Sequence, residues 1–572
     1  MKRIATIILA LILALLPSAP SLAQQGRSQQ QAQQGPSQQQ AQPQRQVNAA
    51  DIRVPPGFRI DPFVVGLSYV TDITFSDRGE IFVVEAGGHT YGTTPQEAPP
   101  ARILQILPDG RTRVVYDTLV PMSDLRRARF MAPSNLPEGL IPPVNGVTWH
   151  NGLLYIAHRT RVSTLDPRTG QFRTIVDGLP SWGFFHNYKV IFGSDGRMYF
   201  FQSSQGNAGP IDAHWMKVIN IFNKPDAHEV PCEDVTLTGE DFAVPVEDIS
   251  TPDVDDTILT GVYVPLGTTT QRGQVIRGQV PCNGAMLRAN ADGSNLELFA
   301  WGLRSDFGYR FAPDGRLIAT QNSANPIPPR VIHDDSESIY QIIQGTWYGW
   351  PDYYSGIPIT DQRFATRTED RAFVLTDETH RRLLRGREQP IPPLVTLQPH
   401  TAAEGLVFGR QDFGMDPANE LLVAEFGTVV VHLRDVLPGF RVQRVNLQTG
   451  NVVDFLVNQT GRPASATGGG GLERPIQLEW GPDGALYVVD FGVINITQQG
   501  MQAQPNTGMI WRVTRAAAGA DQQPTQAPSP TPAPSPTPTS TSTSTPTPRA
   551  QVQQQGQPQQ PVAQQPPSPT PT

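Results

Sequence analysis

Apolar and polar side chains alternate along short runs of this chain, and Asp, Gly and Asn interrupt the runs at tight intervals. Alternation with period two predicts half-buried strands, and Asp-Gly or Asn-Gly between two such runs predicts a hairpin. The unit occurs six times: Ile73 to Glu85, Val147 to Ala157, Val190 to Phe201, Tyr309 to Thr320, Gly405 to Glu425 (with a longer turn) and Leu478 to Asp490. Several copies continue into a third strand that ends in a turn, as in Val162 to Gly170, Met286 to Gly293 and Val442 to Gly450, and further strands such as Phe172 to Val176 and Val452 to Leu456 follow. About four strands per unit make one blade, and a blade cannot bury both of its faces alone, so neighbours must stack and the ring must close. The expectation is an all-β, six-bladed β-propeller. A β-sandwich also uses such hairpins, but it does not require this repetition.

The spacing between copies is uneven. Long insertions are expected at roughly Gly87 to Pro143, Asn207 to Asn283 and Asn322 to His400, covering the face around the central channel. Both cysteines, Cys232 and Cys282, fall in the second insertion and are expected to pair as a disulfide at its neck. Two thiolates alone are half a zinc site.

Composition sets the limits of the folded part. Lys2 and Arg3 precede an apolar run from Ile4 to Leu16, and Ser21-Leu22-Ala23 supplies the small residues of a cleavage site. Residues 1–23 therefore read as a signal peptide, which implies a secreted, extracellular or periplasmic protein with no stable membrane span in the mature chain. Residues 24–47 are Gln-rich, and residues 517–572 are rich in Pro, Thr, Ser and Gln. Segments of this kind have too few apolar side chains to offset the entropy of ordering them. The propeller is assigned to 48–516. Net charge is −8 with both signs interspersed, so no basic stripe marks a nucleic-acid partner.

The turns between the repeats carry further information. Leu179-Pro-Ser-Trp-Gly-Phe-Phe-His186, Trp301-Gly-Leu-Arg-Ser-Asp-Phe-Gly308, Tyr348-Gly-Trp-Pro351, the start at Val54-Pro-Pro-Gly-Phe58 and the close from Arg474 to Gly484 occur in the order seen in one family. In this the chain resembles the soluble quinoprotein glucose and sorbosone dehydrogenases over nearly all of Val54 to Arg515. The resemblance implies a six-bladed propeller that passes a hydride from a sugar or polyol hydroxyl to pyrroloquinoline quinone (PQQ), with calcium beside the cofactor and an unknown electron acceptor. It implies His186 as the base, Arg304, Ser305 and Arg474 as cofactor contacts, and Asp334, Asp335 and Glu337 near the metal. Trp347, Tyr348 and Trp350 are candidates to stack on a flat ligand.

The chain also departs from that pattern. Phe185 precedes His186 where many family enzymes have an acidic residue, Ser305 replaces asparagine, and the cofactor-binding lysine has no counterpart. An imidazole without an orienting carboxylate is a poorer base. Two readings follow: an exported PQQ-dependent dehydrogenase, or a propeller of the same ancestry that binds an extracellular glycan or protein partner without redox chemistry. A calcium-dependent lactonase has no residues in its favour. Amino-terminal sequencing of the exported protein checks the cleavage site, which is expected to leave Gln24 as the first residue.

Overall fold

The computed structural model describes residues 45–88, 99–131, 135–246, 256–364, 371–429, 437–497 and 500–516. The expected signal peptide, nearly all of the Gln-rich segment and the Pro/Thr/Ser-rich tail lie outside these residues. Among the described residues, no helix is long and apolar enough to cross a membrane.

Six antiparallel sheets form the six blades of a β-propeller. Blade 1 runs from its inner strand Val70–Phe75 through Ile81–Glu85 and Arg102–Ile106 to Thr112–Tyr116. Blade 2 comprises Val144–His150, Leu153–His158, Arg161–Leu165 and Phe172–Val176. Blade 3 comprises Ile191–Phe192, Met198–Gln202, Ala285–Ala289 and Glu297–Trp301, and blade 4 comprises Tyr309–Phe311, Leu317–Gln321, Glu337–Ile342 and Val395–Leu397. Blade 5 begins at Ala403–Phe408 and continues through Glu420–Glu425 and Arg441–Asn446 to Val452–Asn458, with Ile52–Arg53 added at its edge. Blade 6 joins Pro475–Trp480, Leu486–Asp490 and Gly508–Arg515 to the amino-terminal strand Phe58–Leu67, paired from Phe58 opposite Arg515 to Leu67 opposite Gly508. That pairing closes the ring.

The hairpin reading located the first two strands of every blade, but two of the expected insertions were drawn too wide. The stretch from Gly87 to Pro143 contains the two outer strands of blade 1, and that from Asn322 to His400 contains the two outer strands of blade 4. The outer pair of blade 1 does carry an Asp-Gly turn, at Asp109-Gly110, but a long excursion separates it from the first hairpin, and the outer strands of blade 4 are parted by the residues between Ile342 and Val395. The insertions proper follow Gln202 in blade 3 and Ile342 in blade 4. The first carries helix Ala213–Phe222, whose amino-terminal N–H groups at His214 and Trp215 are capped by the Asp212 carboxylate. The second carries helix Asp377–Leu384, capped by Thr376. The two pack together: Thr238 N donates to Val374 O and Thr376 N to Thr236 O, each at 3.0 Å.

A single charge network crosses the channel. Lys189, just before the inner strand of blade 3, reaches Asp72 of blade 1 at 3.0 Å and Glu479 of blade 6 at 3.2 Å. Arg310 of blade 4 pairs with Glu479 at 2.9 Å and donates from Nε to Leu406 O of blade 5 at 3.1 Å. Asp72 also accepts from Val147 N of blade 2 at 2.8 Å. Glycine is required where blade 2 passes this network, because a Cβ at Gly146 would stand 2.5 Å from the Lys189 Cα. Burial works against the charge on both acids. It prevails at Asp72, whose carboxyl is raised despite Lys189, but at Glu479 the cations Arg310 and Lys189 overcome it and hold the carboxyl at about 2.

Glu479 falls from its usual 4.5 to about 2 on folding, so its contribution to stability is complete above pH 4.5 and lost as pH drops toward 2. Glu479→Gln is expected to cost about 3–5 kcal/mol at pH 7, the penalty for breaking a buried pair. In urea unfolding the cost should shrink across that acid window. A cost independent of pH would show that the carboxylate charge is not what Arg310 and Lys189 hold.

Candidate functional site

Where the inner strands begin, the channel opens into a cleft with an empty volume of about 800 Å³ that includes open solvent. Aromatic rings line it at Phe184, Phe185, Phe307 and Phe426, and polar groups at Asn145, Asn322, Asn325 and Ser323. His186, Arg304, Glu337 and Glu404 bring the ionisable chemistry to the same space. Three predicted residues thus meet in one cleft although they belong to different blades: His186, Arg304 and Glu337.

His186 is placed by the loop from Leu179, which is laced onto the end of the second strand of blade 3. Trp182 N donates to Gln205 Oε1 at 2.9 Å, Phe184 N to Gln205 O at 2.7 Å, and Ser203 N to His186 O at 3.1 Å. The imidazole Nε2 stands 2.6 Å from Nη2 of Arg159. A guanidinium only donates, so Nε2 accepts, and the neutral ring carries its proton on Nδ1. Arg159 sits in the hairpin turn of blade 2 and also donates to Pro142 O at 3.0 Å, Ser181 O at 2.6 Å and Gly183 O at 3.2 Å. Burial pushes its guanidinium down only to about 9, so it stays cationic at neutral pH. A positive charge therefore faces His186 at the nitrogen a base would use. The only sequence signal for this was an arginine in a tight turn at His158-Arg159-Thr160, where Asn, Asp or Gly is usual.

Arg304 is held by Asn207, through Nε to the backbone oxygen at 3.1 Å and Nη2 to Oδ1 at 2.9 Å, and it does not pair with Asp306 in this arrangement. Its guanidinium lies over the Phe185 ring at 4.4 Å. Phe185 thus supports the cleft's cation by a cation–π contact. Burial lowers the Arg304 guanidinium, and the carboxylates of Asp335 and Glu337 act in the opposite sense.

The remaining predicted residues are placed differently. Ser305 is fully buried and contacts the Tyr188 hydroxyl at 3.1 Å rather than lining the cleft. Arg474 is also buried, between the rings of Phe426 and Phe440, and donates to Gly427 O at 3.0 Å, so it supports the loop that forms one wall. Asp334 is exposed, whereas Asp335 is buried and accepts from Ala324 N and the Ser355 hydroxyl, each at 2.7 Å. Glu337 accepts from the Ser323 hydroxyl at 2.7 Å and Ala403 N at 3.0 Å. These carboxylates are used in holding loops, and among the described residues no group of three or more His, Cys, Asp or Glu side chains is arranged to hold a metal ion. Trp347, Tyr348 and Trp350 are buried in the core beneath the loop. Cys232 and Cys282 are joined, with S–S 2.07 Å.

Glu404 was not anticipated, because a lone Glu at a strand start has no sequence signature. It lines the cleft, and burial together with Glu337 raises its carboxyl well above the usual range. The cleft therefore presents a guanidinium, two carboxyl groups whose protonated forms burial favours, several amides and flat apolar faces.

No protein-family model matches the sequence, and no curated protein matches it. Solved structures do resemble the chain. The holo PQQ domain of pyranose dehydrogenase from Coprinopsis cinerea is 17% identical, with 83% of this chain and 98% of that chain covered and a TM-score of 0.48. The soluble aldose sugar dehydrogenase of Escherichia coli, in its apo form, is 12% identical, with 80% and 100% covered and a TM-score of 0.44. The PQQ-bound aldose sugar dehydrogenase of Streptomyces coelicolor is 14% identical, with 81% and 99% covered and a TM-score of 0.42. At such identities the functional reading rests on the cleft itself.

One pH dependence follows from the support of Arg304. The Asn207 that grips it follows Gln205 and Gly206, whose N–H groups bind the buried carboxyl of Glu229 at 2.7 and 3.0 Å. Burial raises that carboxyl to about 8. As pH rises through this value Glu229 becomes negative within electrostatic reach of Arg304, so an anion held by Arg304 should bind a few-fold more weakly. Calorimetric titration from pH 6.5 to 9 is expected to show the weakening in the wild type and not in Glu229→Gln.

Proposed function

We propose that the chain is a quinoprotein-type dehydrogenase acting on a sugar or polyol. The observation that supports this is the meeting of His186 and Arg304, which the sequence separates widely, in one aromatic and amide-lined cleft at the channel mouth.

PQQ is a flat, anionic quinone, and the donor set suits it in kind: Arg304 for an anionic oxygen, Asn322 and Asn325 for polar edges, Phe307 and Phe426 for the ring faces. Bound there, the quinone would supply the acceptor for a hydride from the substrate carbon. Calcium is a different matter, since no carboxylate group among the described residues is arranged for it, and no step is assigned to it.

The protein's own contribution is binding, orientation and handling of the hydroxyl proton. A polyol presents hydroxyl groups that match the amides and the Glu404 carboxyl, and its apolar C–H face matches an aromatic wall. His186 accepts a proton at Nε2 only after that nitrogen leaves Arg159, and the resulting imidazolium would stand beside a guanidinium. Both effects weaken it as a base. The same contact favours the second reading, a glycan-binding propeller whose histidine is fixed rather than reactive.

The test is a calorimetric titration of the purified folded segment with PQQ, with and without calcium, followed by dye reduction over a panel of sugars. The dehydrogenase reading expects stoichiometric binding, weakened at least tenfold by Arg304→Leu, and a sugar-dependent rate abolished by His186→Ala with PQQ binding kept. Absence of PQQ binding together with sugar binding by the cofactor-free protein would replace it with the glycan reading.

A further inference from the structure

Residues 205–209 are a junction as well as a clamp on Arg304. Four buried polar side chains from separate parts of the chain gather around this segment, and none of them lines the cleft. The Glu229 carboxyl binds Gln205 N and Gly206 N through Oε1. Arg330 donates from Nη1 to Ala208 O at 2.6 Å and to Pro351 O at 3.0 Å. Gly209 abuts Val262 and Pro351, at 3.1 and 3.4 Å from where its Cβ would stand, and Tyr263 follows the first while Tyr354 lies just beyond the second.

Each of the four has a polar atom with no protein partner: Glu229 Oε2, Arg330 Nε, and the hydroxyls of Tyr263 and Tyr354. Their exposures are 1%, 0%, 3% and 2% respectively. They also sense one another electrostatically. The hydroxyl of Tyr263 lies in the fields of Glu229, Arg330, Asp352 and Tyr354, and that of Tyr354 in the fields of Arg330, Asp352 and Arg304. Both tyrosines otherwise belong to an apolar cluster with Val230, Val262 and Trp350. An apolar neighbourhood makes an unpaired hydroxyl costly, and four unpaired polar atoms on residues packed around one short segment call for an occupant.

The chemistry of the four atoms identifies it. A guanidinium N–H only donates, a carboxyl oxygen accepts, and a phenol does either. The charge of Arg330 is already matched by Asp352 at 3.2 Å, so the place has neither the surplus negative charge a cation needs nor the surplus positive charge an anion needs. Water serves donors and acceptors together. We propose that Glu229, Tyr263, Arg330 and Tyr354 line a buried water site holding about one or two molecules, the number that satisfies four atoms at roughly three hydrogen bonds per water. This site lies in the layer made by the insertions of blades 3 and 4, and it does not depend on the dehydrogenase reading.

The deciding experiment is a high-resolution crystal structure of the full chain, paired with water-oxygen magnetic relaxation dispersion on the wild type and the Tyr263→Phe/Tyr354→Phe variant. Ordered water within hydrogen-bonding distance of at least three of the four atoms is expected, with a long-lived water signal that is reduced in the variant. The proposal is overturned by side chains paired directly with one another, by an empty space, by an ion revealed through anomalous scattering, or by an unchanged signal in the folded variant. If the variant does not fold, the wild-type crystal structure decides alone.

Discussion

One buried charge network holds the ring in register. Lys189 and Arg310 share Glu479, Asp72 joins Lys189 to the backbone of Val147, and Arg310 reaches Leu406 O, so every blade contributes a group. Apolar packing between blades is strong but tolerant of sliding, since one face of Val, Ile and Leu resembles another. Charges and directed hydrogen bonds at the axis are not tolerant, because a shift of one residue would leave a buried ion alone. The network sits below the cleft, so the positions of His186 and Arg304 inherit its precision through the strands that follow them.

The cleft combines a firmly held frame with an unusual electrostatic setting. Its frame is built by loops laced to the blade ends, with Arg474 supporting one wall and Asn207 gripping Arg304. Its electrostatics differ from those expected of a base. Phe185 gives its ring face to Arg304, and Arg159 puts a cation on the imidazole. The Arg159 contact has a direct consequence: a guanidinium beside Nε2 disfavours a positive charge on the same ring.

The propeller was legible because its signal is repeated. Each hairpin is weak alone, but six copies of the same alternation and turn leave few other folds. The outer strands of blades 1 and 4 were lost because they stand apart from the first hairpin or from each other: those of blade 1 follow a long excursion despite the Asp109-Gly110 turn between them, and those of blade 4 are split by the insertion after Ile342. The meeting of residues in the cleft was legible where they belong to a motif, as with His186 and Arg304. Ser305, Arg474 and Asp335 matched by position and yet face buried protein, because a motif fixes where a residue sits in the chain and not which neighbour its side chain meets. Arg159, Glu229 and Glu404 were invisible for the complementary reason: their roles arise only when loops from different blades come together.

The closure of blade 6 has a consequence for how the chain acquires its structure. The strand Phe58–Leu67 finds its partner Gly508–Arg515 only after almost the entire folded sequence has been made. Loop closure over such a span is slow, and until it occurs two sheet edges remain open to mispairing. A chain cut short before Gly508 can form blades 1 to 5 but has no seam, so premature termination anywhere along the propeller yields an open stack with sticky ends rather than a smaller version of the protein.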